Sequence, residues 1–292
     1  MIEIILKEYR ELIEKKFEEL LPLKDYPYRK VLEAARYSLL LGGKRIRPII
    51  VAEFCKLLGG KKEDALNFAI ALEMIHTYSL IHDDLPCMDN DDMRRGKPSC
   101  HKAFGEDIAL LAGDTLLTEA FNIVSISDLP NDRIVKAVNY LATLSGLHGM
   151  IGGQVLDLEF EKSNPDFSAL LDMYSRKTSG LLIAAATLGC IAAGKTDDDT
   201  LKYANEYGRD LGLAFQIIDD ILDCTADEKI LGKPVGSDEK NCKTTFVTLL
   251  GLEKAKVYAK QFTDSALNSL DMFDGDKTVL KELTEYLLKR NY

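Results

Sequence analysis

The sequence predicts an all-α protein, built as a single-domain bundle of ten or more helices. Apolar residues recur every three to four positions along most of the chain, as they do on the buried face of a helix. No segment shows the sustained polar–apolar alternation, rich in Val, Ile and Thr, that would indicate β-strands. No linker, low-complexity tract or repeat of fixed period divides the chain, so the predicted domain spans residues 1–292.

The individual helices follow from this periodicity and from the prolines and glycines that separate them. In the first, apolar residues recur from Ile2 to Leu20, and Pro22 follows. Pro48 suits the first turn of a helix, where its missing N–H costs little. The further helices are expected near residues 28–41, 48–58, 62–81, 107–126, 132–146, 167–176, 178–193, 198–222, 244–250, 253–270 and 277–288.

The overall composition narrows the range of functions. Apolar residues make up 46% of the chain and charged residues 29%, as in ordinary soluble proteins. A net charge of −10 argues against non-specific binding to nucleic acid or to an anionic membrane, although local basic clusters can still hold an anionic substrate. The longest uncharged run, residues 178–194, is better explained by a buried core helix than by a membrane span.

The cysteines and the N-terminal segment predict a reducing, cytoplasmic setting. The six cysteines include no CxxC pair, so we expect neither a zinc site nor a disulfide framework. The N-terminal segment is charged every few residues and lacks the apolar region of a signal peptide.

The stretch LIHDDLPCMDNDDMRRGKP, residues 80–98, concentrates aspartates directly after an apolar, helix-like run. Like charges at such spacing repel, so a cation or water must lie among them. On a continuous helix Asp83 and Asp89 would point about 120° apart, and Pro86 interrupts the helix. We therefore expect the helix to end near Asp84, and a short excursion to bring Asp89 back beside Asp83.

A second acidic cluster lies in FQIIDDILD, residues 215–223. Asp219 and Asp223 are four residues apart and share one face of a helix, with Gln216 one turn earlier. An acidic stripe on an otherwise apolar helix is costly unless a cation is held there. Either cluster alone could be a solvated helix end, but the two together favour Mg²⁺, which binds carboxylates, water and substrate phosphates.

Short basic runs lie beside glycines and next to both acidic clusters. They are GGKRIRP (42–48), RRGKP (94–98), SRKTSG (175–180), LGKP (231–234) and KTT (243–245). Lys44 and Arg47 are three apart at a predicted helix start, where anions are favoured, and arginine binds phosphate oxygens with two parallel hydrogen bonds. This combination suggests two anionic substrates: a diphosphate that is held through metal and leaves, and another that is held directly by Lys and Arg and stays intact.

The chain resembles the trans-type polyprenyl diphosphate synthases over nearly its whole length. The motifs that carry the resemblance, in the family's order, are GGKRIRP, DDLPCMDNDDMRRGKP, GGQVLD, RKTSG, FQIIDDILD and KTTFV. Four residues separate Asp84 from Asp89, which is similar to the bacterial farnesyl diphosphate synthases (geranyltranstransferases) and the plant-type geranylgeranyl enzymes. The resemblance implies an all-α bundle around a deep central cavity, the isoprenoid synthase fold, and a homodimer.

The resemblance also implies the reaction and its cofactor. The enzyme would join isopentenyl diphosphate to an allylic diphosphate, dimethylallyl or geranyl, through ionisation of the allylic substrate and attack on the resulting cation. Magnesium would assist, with three Mg²⁺ expected per active site and Mn²⁺ able to replace it.

Residue roles are implied position by position. Metal binding is expected at Asp83, Asp84, Asp89, Asp219, Asp220 and Asp223. Contacts to the allylic diphosphate are expected from Arg94, Lys177, Thr178, Gln216 and Lys233. Contacts to isopentenyl diphosphate are expected from Lys44, Arg47, His76 and Arg95. The residues expected to carry catalysis are Asp83, Asp84, Asp89, Arg94, Lys177 and Asp219.

Product length is expected to depend on Tyr78 and Ser79. Tyr78 lies five residues before Asp83, which is about 7.5 Å along a helix axis. In enzymes that this chain resembles, a bulky aromatic residue at this place closes the cavity, which implies the fifteen-carbon farnesyl product. The alternatives are that Tyr78 only packs in the core and that the product is geranylgeranyl diphosphate.

Other classes of protein fit these residues less well. A non-catalytic partner subunit would be expected to lack aspartates from one motif, and none is missing. Glu73 and His76 form an ExxH pair of the kind found in helical di-iron proteins, but those need a second copy. A terpene cyclase or head-to-head synthase would share the aspartates without needing Lys44 and Arg47 for a second, intact diphosphate.

Overall fold

Helices make up nearly all the regular structure in residues 2–225 and 244–288, which are the residues that the computed structural model of this protein describes. In chain order they are α1 (Ile2–Leu20), α2 (Arg29–Leu40), α3 (Ile46–Leu57), α4 (Leu66–Asp83), α5 (Cys100–Phe104), α6 (Glu106–Ser125), α7 (Asn131–Ser145), α8 (Met150–Phe160), α9 (Phe167–Lys177), α10 (Ser179–Ala193), α11 (Asp198–Thr225), α12 (Phe246–Leu250), α13 (Leu252–Asp271) and α14 (Thr278–Leu288). The predicted all-α fold with ten or more helices is confirmed.

The centre of the bundle is α10, which is buried along almost its whole length. It packs against α3, α7 and α11, and it contains no charged side chain. A helix that is apolar on every side has to be surrounded by other helices, because no face of it is suited to water. The expectation that the longest uncharged run forms a buried core helix is therefore confirmed.

Another apolar helix, α6, is the one described helix that is long and apolar enough to cross a membrane by length and composition alone. It packs against α4 and α2 through small and apolar residues such as Ala109, Ala112 and Leu116. The core helix of a soluble protein passes the same test, so this observation by itself does not indicate a membrane span.

A short β-hairpin, which the sequence did not predict, follows the first aspartate cluster. Its strands are β1 (Met93–Arg94) and β2 (Lys97–Pro98), which pair antiparallel. The two residues between them, Arg95 and Gly96, have φ values of 53° and 76°. Two successive residues with positive φ match the twist of paired strands, so this tight turn brings Arg94 and Arg95 back over the end of α4.

Two described helices, α5 and α8, were also missed. In α8 the pair Gly152-Gly153 suggested a break in the chain, but both residues lie inside the helix. A Cβ atom at Gly153 would lie 2.3 Å from the backbone nitrogen of Lys177. The glycine therefore allows α8 to approach the end of α9, and this approach brings Lys177 to the site described next.

Candidate active site

A cavity of about 690 Å³ opens among α4, α6, α8, α9, α10 and α11. Its polar end includes Asp83, Lys177 and Arg47, and much of its remaining wall is apolar, with Leu117, Met150 and Leu181 among the residues. The residues that the sequence assigned to the site and that line this cavity are Arg47, His76, Tyr78, Ser79, Asp83, Lys177, Thr178 and Gln216. The deep central cavity expected from the resemblance is thus present.

The first aspartate cluster takes the predicted path. The α4 helix ends at Asp83, and Asp84 follows as its C-terminal cap residue. The chain then leaves the helix and returns, because the backbone N–H of Asp89 donates a hydrogen bond to the carbonyl of Asp83 at 2.9 Å. The expected excursion that places Asp89 beside Asp83 is therefore confirmed.

Negative charge is crowded around Asp83. Burial and the nearby carboxylate of Asp89 raise the pKa of Asp83 to about 6, although the ammonium group of Lys177 opposes the rise. Part of this cost would be removed by a cation bound between the carboxylates.

Asp84 has a different environment from Asp83. It is buried, and its carboxylate accepts hydrogen bonds from Arg94, with the Nε–Oδ1 distance 3.0 Å and a second, shorter contact from Nη2. The hairpin thus carries Arg94 onto Asp84, and this ion pair satisfies much of the carboxylate. Asp83, in contrast, lines the cavity, and Asp89 is exposed.

The second aspartate cluster lies near the end of α11, as predicted, but its members differ in environment. Asp219 is half-buried, whereas Asp220 and Asp223 are buried. The Oδ2 atom of Asp220 accepts hydrogen bonds from the Tyr174 hydroxyl at 2.7 Å and from the Phe246 backbone N–H at 3.0 Å. Asp220 therefore joins α11 to α9 and to the start of α12.

Lys177 and Thr178 meet Gln216 and an acidic partner from α8 at the cavity wall. The Thr178 hydroxyl donates to the Gln216 side-chain oxygen at 2.9 Å, and Lys177 forms a short ion pair with Asp157. Asp157 was not among the predicted site residues, although it ends the GGQVLD motif that carried the resemblance. Lys233, the remaining predicted allylic contact, lies outside the described residues.

A basic cluster also borders the cavity. Burial, and then the charges of Arg47 and Arg95, lower the pKa of His76 well below its ordinary 6.5, so this imidazole is neutral. Burial also lowers the pKa of Arg47, and the buried Nε atom of Arg47 has no hydrogen-bond partner among the described residues. An unpartnered donor among neighbouring cations is suited to bind an anion such as a diphosphate.

The glycine pair before this cluster shapes its surface. Arg95 donates a short hydrogen bond to the carbonyl of Gly42, and a Cβ atom at Gly43 would lie 2.8 Å from the Arg95 guanidinium carbon. Lys44 is exposed and does not line the cavity; its ammonium group lies 4.8 Å from the centre of the Tyr286 ring of α14. The structure thus brings Arg47, His76 and Arg95 together and leaves Lys44 at the edge.

The middle cation of the GGKRIRP motif, Arg45, is a structural residue. It is buried, pairs with Glu73 at 2.9 Å and lies over the ring of Phe17. Because Glu73 is bound to Arg45 and His76 lies among cations, the ExxH pair is not available as a di-iron ligand pair.

Tyr78 and Ser79 lie at the cavity wall, where the sequence placed the floor. The Tyr78 ring is buried and packs edge-on against His82, with ring centres 5.7 Å apart. Burial and the charge of Asp83 raise the pKa of Tyr78 to about 12, so its hydroxyl is neutral. The Ser79 hydroxyl donates to the carbonyl of His76 at 2.9 Å.

The donor atoms of the site fit a hard divalent cation that also binds a phosphate. Among the described residues, no group of three or more carboxylates, imidazoles or thiols is close enough to hold a metal by itself. Magnesium usually takes one or two carboxylates and completes its shell with water and substrate phosphates. Asp83 fits this pattern because it lines the cavity, and Asp89 and Asp219 fit it because they are at least partly exposed, whereas Asp84 and Asp220 are buried.

Comparisons with known proteins agree with this geometry. Residues 29–287 match the family model described as Polyprenyl synthetase. The heterodimeric geranylgeranyl pyrophosphate synthase large subunit 1 of Arabidopsis thaliana is 44% identical over 288 residues, which cover 96% of this chain and 77% of the relative.

Solved structures with similar folds cover the whole described bundle. An FPP/GFPP synthase from Zymomonas mobilis has a TM-score of 0.88 and 37% sequence identity, with 98% of each chain covered. A geranylgeranyl pyrophosphate synthetase from Pyrococcus horikoshii has a TM-score of 0.91 and 33% identity, covering 99% of this chain and 98% of the other.

Proposed function

Since this chain belongs to the polyprenyl synthetase family and is a prenyltransferase, we propose that it makes farnesyl diphosphate from isopentenyl diphosphate and dimethylallyl or geranyl diphosphate. The observation that carries this choice of product is the Tyr78 ring at the cavity wall, five residues before Asp83. A bulky ring at this depth limits the length of chain that the cavity accepts.

The allylic diphosphate is proposed to bind at the polar end of the cavity. Mg²⁺, held there by Asp83, Asp89 and Asp219, would supply positive charge that stabilises the departing diphosphate. Lys177 and Arg94 add fixed cations beside it, and Thr178 and Gln216 add polar contacts. Preorganised charge of this kind favours the state in which the carbon–oxygen bond breaks.

The second substrate is proposed to bind intact at Arg47, His76 and Arg95. These residues hold its diphosphate, so that its double bond faces the allylic carbon. The new carbon–carbon bond then forms, and the proton lost from the isopentenyl unit passes to the departed diphosphate. The apolar walls exclude water, which would otherwise capture the cation.

Geranylgeranyl diphosphate is the alternative product, and one observation favours it. Most of the similar curated proteins carry the name geranylgeranyl pyrophosphate synthase. We favour the farnesyl product because the bulky Tyr78 ring lines the cavity along the helix that carries Asp83, where we expect the growing chain to lie.

The deciding experiment measures product length directly. The protein is incubated with Mg²⁺, isopentenyl diphosphate and either dimethylallyl or geranyl diphosphate, and the dephosphorylated alcohols are sized by chromatography. A predominant fifteen-carbon alcohol supports the proposal, whereas a predominant twenty-carbon alcohol overturns it. Chelation of the metal is expected to abolish turnover with either primer.

We also propose a cytoplasmic homodimer. Several apolar side chains on α6, α7 and α8, and in the turn between α7 and α8, are exposed in the single chain, namely Leu110, Leu111, Val135, Leu147, Ile151 and Val155. Exposed apolar surface of this kind is typical of a protein–protein interface. Light scattering coupled to size exclusion is expected to give twice the chain mass of 32.6 kDa, and a monomer would contradict the proposal. A non-catalytic partner role would instead leave the purified chain inactive in the product assay.

A further inference from the structure

We propose that His82 is a positioning residue for product length, which holds the Tyr78 ring in place by anchoring it to α6. The inference rests on the proposed role of Tyr78 as the cavity floor. His82 lies one helical turn after Tyr78 on α4, so the two rings share one face of that helix. Both side chains line the cavity.

The Tyr78 ring has no hydrogen-bond anchor of its own. Its hydroxyl is buried and has no hydrogen-bond partner among the described residues. The position of the ring is therefore set by packing alone. On one side the ring packs edge-on against His82, with an interplanar angle of 72°. Aromatic pairs prefer such edge-to-face contacts, which define the ring orientation as well as its distance.

His82, in contrast, is fixed to the neighbouring helix. Its Nε2 atom lies 3.0 Å from the carbonyl oxygen of Leu110 in α6, so the Nε2 atom carries the hydrogen and donates it. The nearest carboxylate, that of Asp114, is 3.9 Å from the same nitrogen and lies beyond hydrogen-bond distance.

Gly113 provides the space in which the imidazole lies. A Cβ atom at Gly113 would lie 2.1 Å from the Nε2 atom of His82, which is far closer than two such atoms can approach. The pair formed by the Leu110 carbonyl and Gly113, which we term the imidazole seat, thus fixes His82 against α6. Tyr78 then rests against His82, so the seat sets how far the floor can move.

The chemical consequence concerns chain length and not the bond-forming step. If the imidazole is removed, the Tyr78 ring loses a neighbour on one side and can turn away from the path of the growing chain. His82→Ala is expected to raise the ratio of twenty-carbon to fifteen-carbon product roughly 2- to 10-fold, the range that corresponds to loss of one aromatic edge contact. Tyr78→Ala removes the ring itself and is expected to raise the ratio further.

Gly113→Ala tests the same seat without touching α4. The added methyl group displaces the imidazole and is expected to raise the ratio as His82→Ala does. In a protein that already carries His82→Ala, the methyl group meets no ring, and Gly113→Ala is expected to have no further effect on the ratio. Asp114→Asn, which changes the neighbouring side chain outside hydrogen-bond distance, is the matched control and is expected to keep the wild-type ratio.

A double variant separates positioning from a direct role. If His82 acts through Tyr78, Tyr78→Ala with His82→Ala gives the same product ratio as Tyr78→Ala alone. A higher ratio in the double variant would show that His82 is itself part of the floor and would overturn the inference. Melting temperatures of all variants identify any that fail to fold, and Gly113→Ala then replaces His82→Ala as the test.

The outcomes also distinguish this inference from the proposed function. The imidazole seat is rejected if His82→Ala and Gly113→Ala both keep the wild-type product ratio while Tyr78→Ala raises it. In that case the role of Tyr78 as the cavity floor still stands. An unchanged ratio in Tyr78→Ala rejects the floor itself, and the inference falls with it.

Discussion

At the scale of single residues, Asp83 lowers the stability of the folded protein near neutral pH while providing a carboxylate for the proposed metal binding. Its pKa of about 6 in the folded protein is above the ordinary 3.8, because burial and Asp89 disfavour the charged form. The folded state therefore binds more protons than the unfolded chain between about pH 4 and pH 6. Stability falls as the pH rises through that window, because above it the charged carboxylate has to be buried.

In metal-free buffer at pH 7, we expect Asp83→Asn to be more stable than the wild type by about 1–3 kcal/mol. The reason is that asparagine stays uncharged, whereas the half-buried Asp83 carboxyl, with its pKa of about 6, has to be charged at this pH. The difference is expected to shrink as the pH falls toward 4. Urea unfolding between pH 4 and pH 8 measures it. Asp128→Asn, at an exposed position between α6 and α7, serves as the control and is expected to show no such trend. A constant difference across pH would contradict the assignment.

The same variant is expected to lose activity, by about 100-fold or more, because it removes charge from the place where the departing diphosphate is bound. A gain in stability together with a loss of activity would indicate that Asp83 serves the reaction and not the fold.

A second prediction at this scale separates the ring of Tyr78 from its hydroxyl. Tyr78→Ala is expected to shift the product toward twenty carbons or more. Tyr78→Phe is expected to keep the wild-type product length and to stabilise the protein by about 1 kcal/mol, since the buried hydroxyl makes no hydrogen bond among the described residues. Product chromatography and thermal unfolding check the two expectations. A change of product length in Tyr78→Phe would show that the hydroxyl itself is needed.

At the scale of helices, the pattern of apolar residues predicted α10 and α11 well, because each buries a continuous apolar stripe that repeats over many residues. The hairpin of β1 and β2 was missed because two residues per strand are too few to show alternation. The α8 helix was missed because Gly152-Gly153 usually indicates a turn, and only the proximity of Lys177 explains the second glycine.

The candidate site was predictable to the extent that its residues are close in sequence. The spacing of Asp83 and Asp89, with Pro86 between them, correctly predicted the excursion after α4. The spacing of residues along the sequence does not predict contacts between distant helices. Examples are Lys177 with Asp157 and Asp220 with Tyr174. They arise only when the bundle assembles.

The Asp220 pair leads to a prediction about how helices are joined. The Tyr174 hydroxyl donates to Asp220, and the Tyr174 ring stacks on Phe246 at the start of α12. Tyr174→Phe keeps the stacking but leaves a buried carboxylate with one donor fewer, so we expect a loss of about 1–3 kcal/mol. Urea unfolding measures this loss.

The control for that prediction is Tyr203→Phe in the same helix as Asp220. The Tyr203 hydroxyl has no hydrogen bond to any described residue, so the change is expected to cost less than about 0.5 kcal/mol. Equal stability of the Tyr174→Phe variant and the wild type would show that Asp220 does not depend on this donor.

At the scale of the whole molecule, the two aspartate clusters are carried by different helices, and we expect one bound ligand to connect them. The α4 helix presents Asp83 and the α11 helix presents Asp219, while no three donors converge among the described residues. Neither a metal nor a diphosphate alone can satisfy both sides. A metal–diphosphate complex would suit both, because Asp83 and Asp219 would hold the metal and the metal would supply positive charge for the diphosphate.

We therefore expect Mg²⁺ and inorganic pyrophosphate to stabilise the protein together far more than either does alone. Ligands that bind only the folded state stabilise it by mass action, by about 2.7 kcal/mol at 100 times the dissociation constant. For a chain of this size such a gain corresponds to a rise of roughly 5–10 °C in melting temperature. Scanning calorimetry with Mg²⁺ alone, with pyrophosphate alone and with both measures this cooperation.

Asp219→Ala is expected to reduce the cooperation between Mg²⁺ and pyrophosphate, because it removes the contribution of α11 to binding. The stability of the ligand-free protein is expected to change little. Additive effects of metal and pyrophosphate in the wild type, or full cooperation in Asp219→Ala, would show that the two clusters do not act on one ligand.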